Sequence, residues 1–347
     1  MKKLYATLLY FSVFIGFAQI PAYYSGINFS ASPTSIKSQL ANLITTTHTT
    51  PISYSEVWNA LKDGDLDPTN SANVLLIYGY NDSDGDPETD RTRDKDLNGG
   101  SGGEWNREHV FAKSLGSPDL GTSGPGSDAH NLRASDVARN NLRGSRKFAA
   151  GSGNSSTIGA DWYPGDEWKG DVARIVMYMY LRYSLQCRPI YVANGTPTAT
   201  DANMVELLLT WNVEDPVSTL EENRNDVIQS YQGNRNPFID NPKIATLIWG
   251  GPVAEDTWGN LSVEEESVSF TIYPNPVVDN YFYVSSSSQE AIKSIQLYNN
   301  TGQLVYSYAF NAVTNQIEVN VTGLSSGMYI ANILTENNSQ QEKIYIP

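Results

Sequence analysis

The sequence of 347 residues is poor in cysteine, histidine and positive charge. A single cysteine, Cys187, excludes an internal disulfide, so the fold depends on its core or on bound metal. Three histidines are available for acid–base work: His48, His109 and His130. Lysine and arginine number 23 against 38 aspartates and glutamates, a formal net charge of −15 at pH 7. Because a phosphate backbone requires positive potential, this charge argues against indiscriminate nucleic-acid binding.

Long apolar runs are also missing, except at the N-terminus. Lys2 and Lys3 precede an apolar run over residues 4–17, and Ala18 provides a small residue for cleavage. This pattern predicts a secretory signal peptide over residues 1–18. An uncleaved anchor is the alternative, but the run is short for a membrane span of about 20 residues. We therefore expect a secreted protein without stable membrane insertion.

The pattern of apolar residues divides the rest of the chain into two parts. Residues 19–258 mix helix-like and strand-like spacing, as in a helix predicted over 35–45. Residues 259–269 form an acidic linker, and residues 270–347 contain short alternating runs separated by turn signals. We expect an α+β domain with mainly helical surroundings, followed by a small all-β sandwich.

An aspartate- and glycine-rich stretch over residues 81–103 predicts a long surface loop. Within it, Asp82, Asp84 and Asp86 alternate as in an oxygen-rich calcium loop. The twelfth position of an EF-hand loop would be a glutamate, but here it is Arg93. A structural Ca²⁺ site and a solvated acidic loop therefore both remain open.

Two histidine neighbourhoods compete for a catalytic role. A neutral histidine can activate water near neutral pH, and both His109, beside Glu108, and His130 have polar neighbours suited to this chemistry. Adjacent residues on a strand face opposite sides, so Glu108 and His109 can serve one site only where the backbone bends. Spacing leaves catalysis and a satisfied polar side chain equally open at His109. His48 lies in a threonine-rich linker and is expected to be solvated.

Basic residues are concentrated around His109. Residues 104–147 contain seven bases and five acids, in a chain that is otherwise acidic. Such a local surplus favours a phosphate substrate, with a solvated helix face as the alternative. The cations expected to bind substrate are Arg107, Arg133, Arg139, Arg146 and Lys147.

Several ordered motifs together resemble the endonuclease I family, secreted nucleases with a ββα-metal (His-Me finger) site. The resemblance covers the chain from about Tyr23 to Trp249. Its motifs occupy Trp105–Ser114, Asp128–Ser135, Arg139–Ser145, Lys169–Arg174 and Gln232–Asp240. The chain departs from residues common in the family at Ala112, Lys113 and Ala134.

The resemblance implies a β-hairpin followed by a helix, and it implies roles for four residues. His109 corresponds to the general base, Glu108 and Asn140 to the protein ligands of one divalent metal, and Arg143 to an arginine that contacts phosphate. The expected metal is Mg²⁺, with Mn²⁺ or Ca²⁺ as alternatives. The implied activity is endonucleolytic cleavage of DNA, RNA or both, with little sequence specificity and 5′-phosphate products.

The C-terminal part resembles the type A sorting domain of the type IX secretion system. The resemblance begins at Tyr273-Pro274-Asn275-Pro276 and continues to Lys343-Ile344. It implies recognition by the type IX secretion machinery and an extracellular or cell-surface location, whereas the generic alternative is an adhesive β-module. We expect the protein to be a monomer.

Two other functions remain open at this point. A calcium-stabilised extracellular adhesin or glycan-binding protein would use the acidic loop and exposed aromatic residues. A phosphoesterase acting on small substrates would share the proposed chemistry with a nuclease but not its polymeric substrate.

Overall fold

The computed structural model describes residues 20–259, 261, 270–286, 292–310, 316–334 and 339–347. The chain divides into two compact units, Met1–Leu261 and Ser262–Pro347, each with a hydrophobic core of its own. The predicted signal peptide and most of the predicted linker lie outside the described residues.

The first unit mixes helices and strands, which confirms that part of the prediction. Its α-helices are α1 (Pro33–Thr46), α2 (Val57–Gly64), α3 (Val137–Arg143), α4 (Lys169–Tyr183), α5 (Pro189–Val192), α6 (Glu206–Glu214), α7 (Thr219–Gln232), α8 (Pro237–Asp240) and α9 (Lys243–Trp249). Its strands are β1 (Leu66–Asp67), β2 (Asn70–Leu75), β3 (Thr92–Asp94), β4 (Trp105–His109), β5 (Leu132–Asp136), β6 (Ser156–Ile158) and β7 (Asp161–Tyr163). Within the described ranges, no helix is long and apolar enough to cross a membrane.

Helix α4 lies in the larger core and is buried on all sides from Gly170 to Leu181. It packs against α1, α6 and α8. The four-residue spacing of Arg174 and Tyr178 predicts a face distinct from the apolar stripe, yet both side chains are buried. Arg174 forms a buried ion pair with Glu221, and the Tyr178 hydroxyl donates to Asp128 at 2.8 Å. Buried polar groups are tolerated when they are paired in this way.

Helix α7 has well-defined ends. The side chain of Ser218 accepts from the Glu221 amide, and the Glu221 carboxylate accepts in return from the Ser218 amide. This reciprocal pair satisfies amide groups that have no partner within the helix. The helix ends at Gly233, whose φ of 94° is left-handed. A Cβ there would lie 2.4 Å from the carbonyl oxygen of Thr47, so only glycine fits.

Three of the five motifs lie on or beside a β-hairpin and the helix that follows it. Strand β4 pairs antiparallel with β5, and α3 begins directly after β5. The Asp136 side chain caps α3 by accepting from the Arg139 amide at 2.9 Å. Because no loop separates β5 from α3, the helix is fixed relative to the hairpin.

A buried carboxylate joins this hairpin to α2 and α7. Asp65 is fully buried and accepts from the Ala134 amide of β5 at 2.8 Å. Its Oδ1 also lies 3.0 Å from Nε of Arg133 and 2.8 Å from Nε of Arg224. Arg133 forms a second ion pair with Asp171 of α4. One charged cluster therefore joins the hairpin to three helices, α2, α4 and α7.

The acidic stretch over residues 81–103 differs from the predicted continuous loop. Thr92–Asp94 forms β3 and pairs with β2 in a three-stranded antiparallel sheet. Arg93 is buried and pairs with Asp136 and Asp90, and these charge pairs draw the segment into the structure. A surface loop would leave this arginine in water.

The second unit is an all-β region, as predicted. Its strands are β8 (Phe270–Val278), β9 (Tyr281–Ser286), β10 (Ser294–Tyr298), β11 (Leu304–Ala309), β12 (Gln316–Asn320), β13 (Gly327–Leu334) and β14 (Ser339–Ile346). They form one sheet in the order β11-β10-β13-β14 and another in the order β12-β9-β8. Alternate residues, such as Ile317 and Val319, are buried in the core of this unit.

Replacing Asp65 with asparagine tests the charged cluster. We expect Asp65→Asn to lower the free energy of unfolding by about 3–5 kcal/mol, because two arginines would stay buried without their shared counter-charge. Denaturation in urea provides the measurement. Asp63→Asn is the matched control, since Asp63 is exposed and its replacement should change stability by about 0.5 kcal/mol or less. Equal stability of the two variants would contradict a structural role for Asp65.

Candidate active site

A cavity of about 300 Å³ opens where the end of β4 meets α3. It brings together the four residues for which the sequence predicts catalysis or metal binding: Glu108, His109, Asn140 and Arg143. The other lining residues are Arg107, Ala112, Lys113, Ser114, Gly144 and Ser145.

His109 is the last residue of β4 and is held in one orientation. Its Nε2 lies 2.9 Å from the carbonyl oxygen of Gly126, and its ring stacks on Tyr54 with centroids 5.6 Å apart. A carbonyl can only accept, so Nε2 carries the proton and Nδ1 is the basic nitrogen. Burial lowers the pKa of His109 to about 4, so the ring is neutral at neutral pH.

Glu108 is 3% exposed and forms the buried side of the cavity. Its Oε1 accepts from the Tyr78 hydroxyl at 3.0 Å and from Nη1 of Arg143 at 2.9 Å. Burial raises the pKa of this carboxyl, and the Arg143 charge acts in the opposite direction. The site thus contains a partly neutralised carboxylate next to a neutral imidazole.

Asn140 comes from the middle of α3 and reaches the same cavity. Its Nδ2 donates to Oδ1 of Asn106 on β4 at 2.7 Å. With the nitrogen directed to Asn106, the carbonyl end of the amide remains as an oxygen donor. The helix therefore contributes an oxygen ligand to a site whose carboxylate comes from the hairpin.

Arg143, which the family resemblance assigns to phosphate contact, engages acceptors of the protein itself. It has no exposed surface, and its Nη1 donates to Glu108 and to the His109 carbonyl, each at 2.9 Å. Its Nη2 donates to the Val110 carbonyl at 2.8 Å. The guanidinium stacks on Phe148 at 4.6 Å. These contacts make Arg143 a clamp on the end of β4, and its role as a phosphate contact stays a prediction.

The other cations expected to bind substrate are also engaged by the protein. Arg133 is buried in its ion pairs, and Arg139 is buried and donates to Ser155. Arg107 lies between the Tyr54 and Trp58 rings, at 3.6 and 4.1 Å. The remaining two donate to backbone carbonyls: Arg146 to Leu142 and Lys147 to Ile190. Two of these five cations are therefore buried, and the three that are half-buried also contact aromatic rings or carbonyls of the fold.

His130, the competing histidine, does not line the cavity. It is fully buried, and its Nε2 lies 3.2 Å from the carbonyl oxygen of Asn234. Burial lowers the pKa of His130 to about 4. His48 is half-buried and likewise stands outside the cavity. The geometry leaves His109 as the histidine of this site among the residues described.

Asp82, Asp84 and Asp86 do not converge on a cation site. Asp82 accepts from the amides of Arg91 and Thr92, while the other two accept from amides two residues ahead. Over the described ranges, no group of three or more histidine, cysteine, aspartate or glutamate side chains could hold a metal ion. The three aspartates stabilise a turn by accepting from its amides, and the Ca²⁺ site, one of the two alternatives for this loop, stays a prediction.

Glu108 and Asn140 nevertheless suit a single divalent cation. They bring a carboxylate and a carboxamide to one cavity. Hard cations such as Mg²⁺ prefer oxygen ligands, and they keep several positions for water or substrate phosphate. The residues present therefore fit the metal that the sequence predicts.

Three residues that support the site were not identified from the sequence. Tyr78 reaches Glu108 from a backbone with φ of 73°, which is unusual for a residue other than glycine. Gly126 provides the carbonyl for His109, and Tyr54 provides the stacking surface. Glycines are frequent in the sequence around Gly126, but no local pattern indicates that its carbonyl contacts His109.

Comparisons with known proteins place both parts of the chain in described families. A family model described as Endonuclease I matches residues 32–243, and a model described as a secretion system C-terminal sorting domain matches residues 271–347. An extracellular ribonuclease of Bacillus subtilis (strain 168) is 43% identical over 245 residues, which cover 67% of this chain and 80% of the relative. A second, from Bacillus amyloliquefaciens, is 43% identical over 230 residues, covering 63% of this chain and 75% of the relative.

Solved structures add little to this comparison. A DUF3244 family protein with an immunoglobulin-like β-sandwich fold from Bacteroides vulgatus is 13% identical. The match covers 23% of this chain and 84% of that one, with a TM-score of 0.19, which is too low to support an argument about the fold.

Substitution of Arg143 distinguishes a clamp from a phosphate contact. We expect Arg143→Met to lower the free energy of unfolding by about 3–5 kcal/mol, because Glu108 would be left buried without its cation. Arg146→Met is the matched control and should cost about 0.5 kcal/mol or less, since Arg146 is half-exposed. Urea denaturation measures both. A stable Arg143→Met protein with only a raised KM would restore the phosphate role.

Proposed function

The chain belongs to the Endonuclease I family and carries a secretion system C-terminal sorting domain, so it is a secreted nuclease, and we propose that the cavity containing Glu108, His109 and Asn140 is its active site. The observation that carries this proposal is the hydrogen bond between His109 Nε2 and the Gly126 carbonyl. It fixes the tautomer that leaves Nδ1 basic, in the same cavity as two oxygen ligands.

His109 acts as the general base of phosphodiester hydrolysis. Its Nδ1 takes a proton from a water molecule, and the resulting hydroxide attacks phosphorus in line with the leaving oxygen. The bond to the 3′ oxygen breaks, and this oxygen takes a proton from solvent water, which leaves a 3′ hydroxyl and a 5′ phosphate. The Tyr54 ring and the Gly126 carbonyl keep the imidazole in position during the transfer.

Glu108 and Asn140 are the protein ligands of one divalent metal, with Mg²⁺ the best match to their oxygen atoms. When bound, such an ion neutralises charge on the phosphate and on the departing oxygen. Arg143 and Tyr78 orient the Glu108 carboxylate. Asn106 orients the Asn140 amide. Such outer contacts are what hold metal ligands in position.

The β4–β5–α3 unit supports assignment of a His-Me finger, or ββα-metal, fold. The base and the carboxylate lie at the end of β4, and the amide ligand lies on the helix. The three groups therefore belong to one hairpin–helix unit.

RNA is the proposed substrate, with DNA cleaved alongside it. The two Bacillus relatives are extracellular ribonucleases. Arginine donors buried in the fold leave few groups for reading base edges, so little sequence specificity is expected. The protein is secreted or displayed at the cell surface, and its C-terminal unit is the part recognised by type IX secretion. The adhesin alternative lacks support, because the acidic loop has no converging carboxylates.

Loss of the imidazole tests the base. We expect His109→Ala to lower kcat by about 10²–10⁴-fold, the range for removal of a general base. Cleavage of a labelled RNA oligonucleotide and of plasmid DNA, each in Mg²⁺, provides the measurement. His48→Ala removes a histidine outside the cavity and should retain activity. Undiminished cleavage by the His109 variant would refute the mechanism.

Loss of the amide tests the metal ligand. We expect Asn140→Ala to raise the Mg²⁺ concentration needed for half-maximal cleavage by about tenfold or more, and chelation with EDTA to abolish activity of the unmodified protein. Asn141→Ala, at the exposed neighbouring position, is the control and should titrate normally. Identical Mg²⁺ titrations for both variants would remove Asn140 from the ligand set.

A further inference from the structure

Arg143 is buried and donates to Glu108 and to two backbone carbonyls, so a phosphate contact at the exposed part of the cavity requires another cation. Of the seven cations in residues 104–147, six donate to or pair with protein acceptors: Arg107, Arg133, Arg139, Arg143, Arg146 and Lys147. The seventh cation is Lys113, whose ammonium has no hydrogen bond or ion pair with any residue that the structure describes. It is exposed and lines the cavity.

The Lys113 backbone is fixed, although its ammonium is not. Lys113–Leu115 forms a short 3-10 turn, and the Lys113 carbonyl accepts from the Leu120 amide at 3.0 Å. The side chain therefore starts from a defined point beside His109 and keeps its three donors available. The positive charge of Lys113 also acts on the His109 ring, where it contributes to the lowered pKa of the imidazole.

Two serine hydroxyls accompany Lys113. Ser114 and Ser145 are exposed and line the same cavity, and no hydrogen bond of either side chain occurs among the described residues. Ser145 follows Gly144, whose φ of 53° ends α3 and turns the chain away from the helix. Lysine ammonium groups and serine hydroxyls are frequent contacts of nucleic-acid phosphates.

Burial separates the floor of the cavity from its rim. Glu108 at the floor is 3% exposed, whereas Lys113, Ser114 and Ser145 are exposed at the mouth. A phosphate that reaches the metal ligands lies at the floor, so the strand that continues from it passes over the rim. We propose that Lys113, assisted by the Ser114 and Ser145 hydroxyls, binds the phosphate next to the scissile one in the substrate strand. This inference rests on the proposed nuclease site.

Salt dependence of cleavage by the full chain tests the contact. A phosphate contact releases counterions, so Lys113→Met should make the slope of log kcat/KM against log salt concentration less negative by about 0.7 on single-stranded RNA. We expect KM to rise about tenfold at low salt with kcat nearly unchanged, because the contact is the same in ground and transition states. Lys113→Arg should restore most of the KM.

Lys95→Ala is the matched control, since it removes the same charge away from the cavity, where Lys95 donates to the Ser71 carbonyl. Its slope should remain that of the unmodified protein. If the Lys113 and Lys95 variants change equally, the effect is one of net charge and the contact is refuted.

Substrates with one neutral methylphosphonate locate the contact. Neutralising the phosphate adjacent to the scissile one should raise KM for the unmodified protein and leave KM of Lys113→Met unchanged, because the pair has already lost one partner. Equal losses for both proteins at every position tested would overturn the proposal. Failure of the site as a whole would show separately, as unaffected cleavage by His109→Ala.

Discussion

The geometry of the site depends on the hydrogen bonds that the Arg143 guanidinium donates. Pairing of β4 with β5 ends at His109, so the carbonyls of His109 and Val110 need donors from elsewhere, and Arg143 provides both. The same group neutralises the buried Glu108. Since Arg143 is the last residue of α3, one side chain joins the helix to the strand end, and its charge opposes the rise in the pKa of Glu108 that burial causes.

Because the fold engages these arginines, an acidic protein that acts on a polyanion has few free cations near its site. Its overall charge of −15 opposes the approach of nucleic acid, and several cations near the site are consumed by the fold. Arg133, for example, pairs with Asp65 and Asp171. Under the two proposals above, phosphate would be attracted locally, by a divalent ion held by Glu108 and Asn140 and by the ammonium of Lys113. Local charge outweighs net charge because the Debye length at 0.1 M salt is about 10 Å, so salt screens the acids that lie farther from the site than this.

The sequence predicted elements with a strong period better than it predicted the environment of charged residues. The helix expected over 35–45 is α1 (Pro33–Thr46), because apolar spacing alone determines which face is buried. The alternation of apolar and polar residues predicted the strands of the C-terminal unit equally well. Arg143, in contrast, looks the same in a sequence whether it meets phosphate or a buried carboxylate. Whether Arg143 meets phosphate or a carboxylate depends on how closely β4 approaches α3. Residues far apart in the sequence determine that distance.

Adjacency of Glu108 and His109 raised a geometric problem, since neighbours on a strand face opposite sides. The two side chains serve one cavity because β4 ends at His109, where the Val110 amide turns to the Asn131 carbonyl. Glu108 keeps the inward direction of the strand, while His109 is drawn to Gly126. A Cβ on Gly126 would lie 2.1 Å from the Gly121 carbonyl oxygen, so a larger residue could not bring its own carbonyl to the imidazole without moving the loop. The tautomer of His109 thus depends on a glycine 17 residues away in the sequence, at a position where a side chain does not fit.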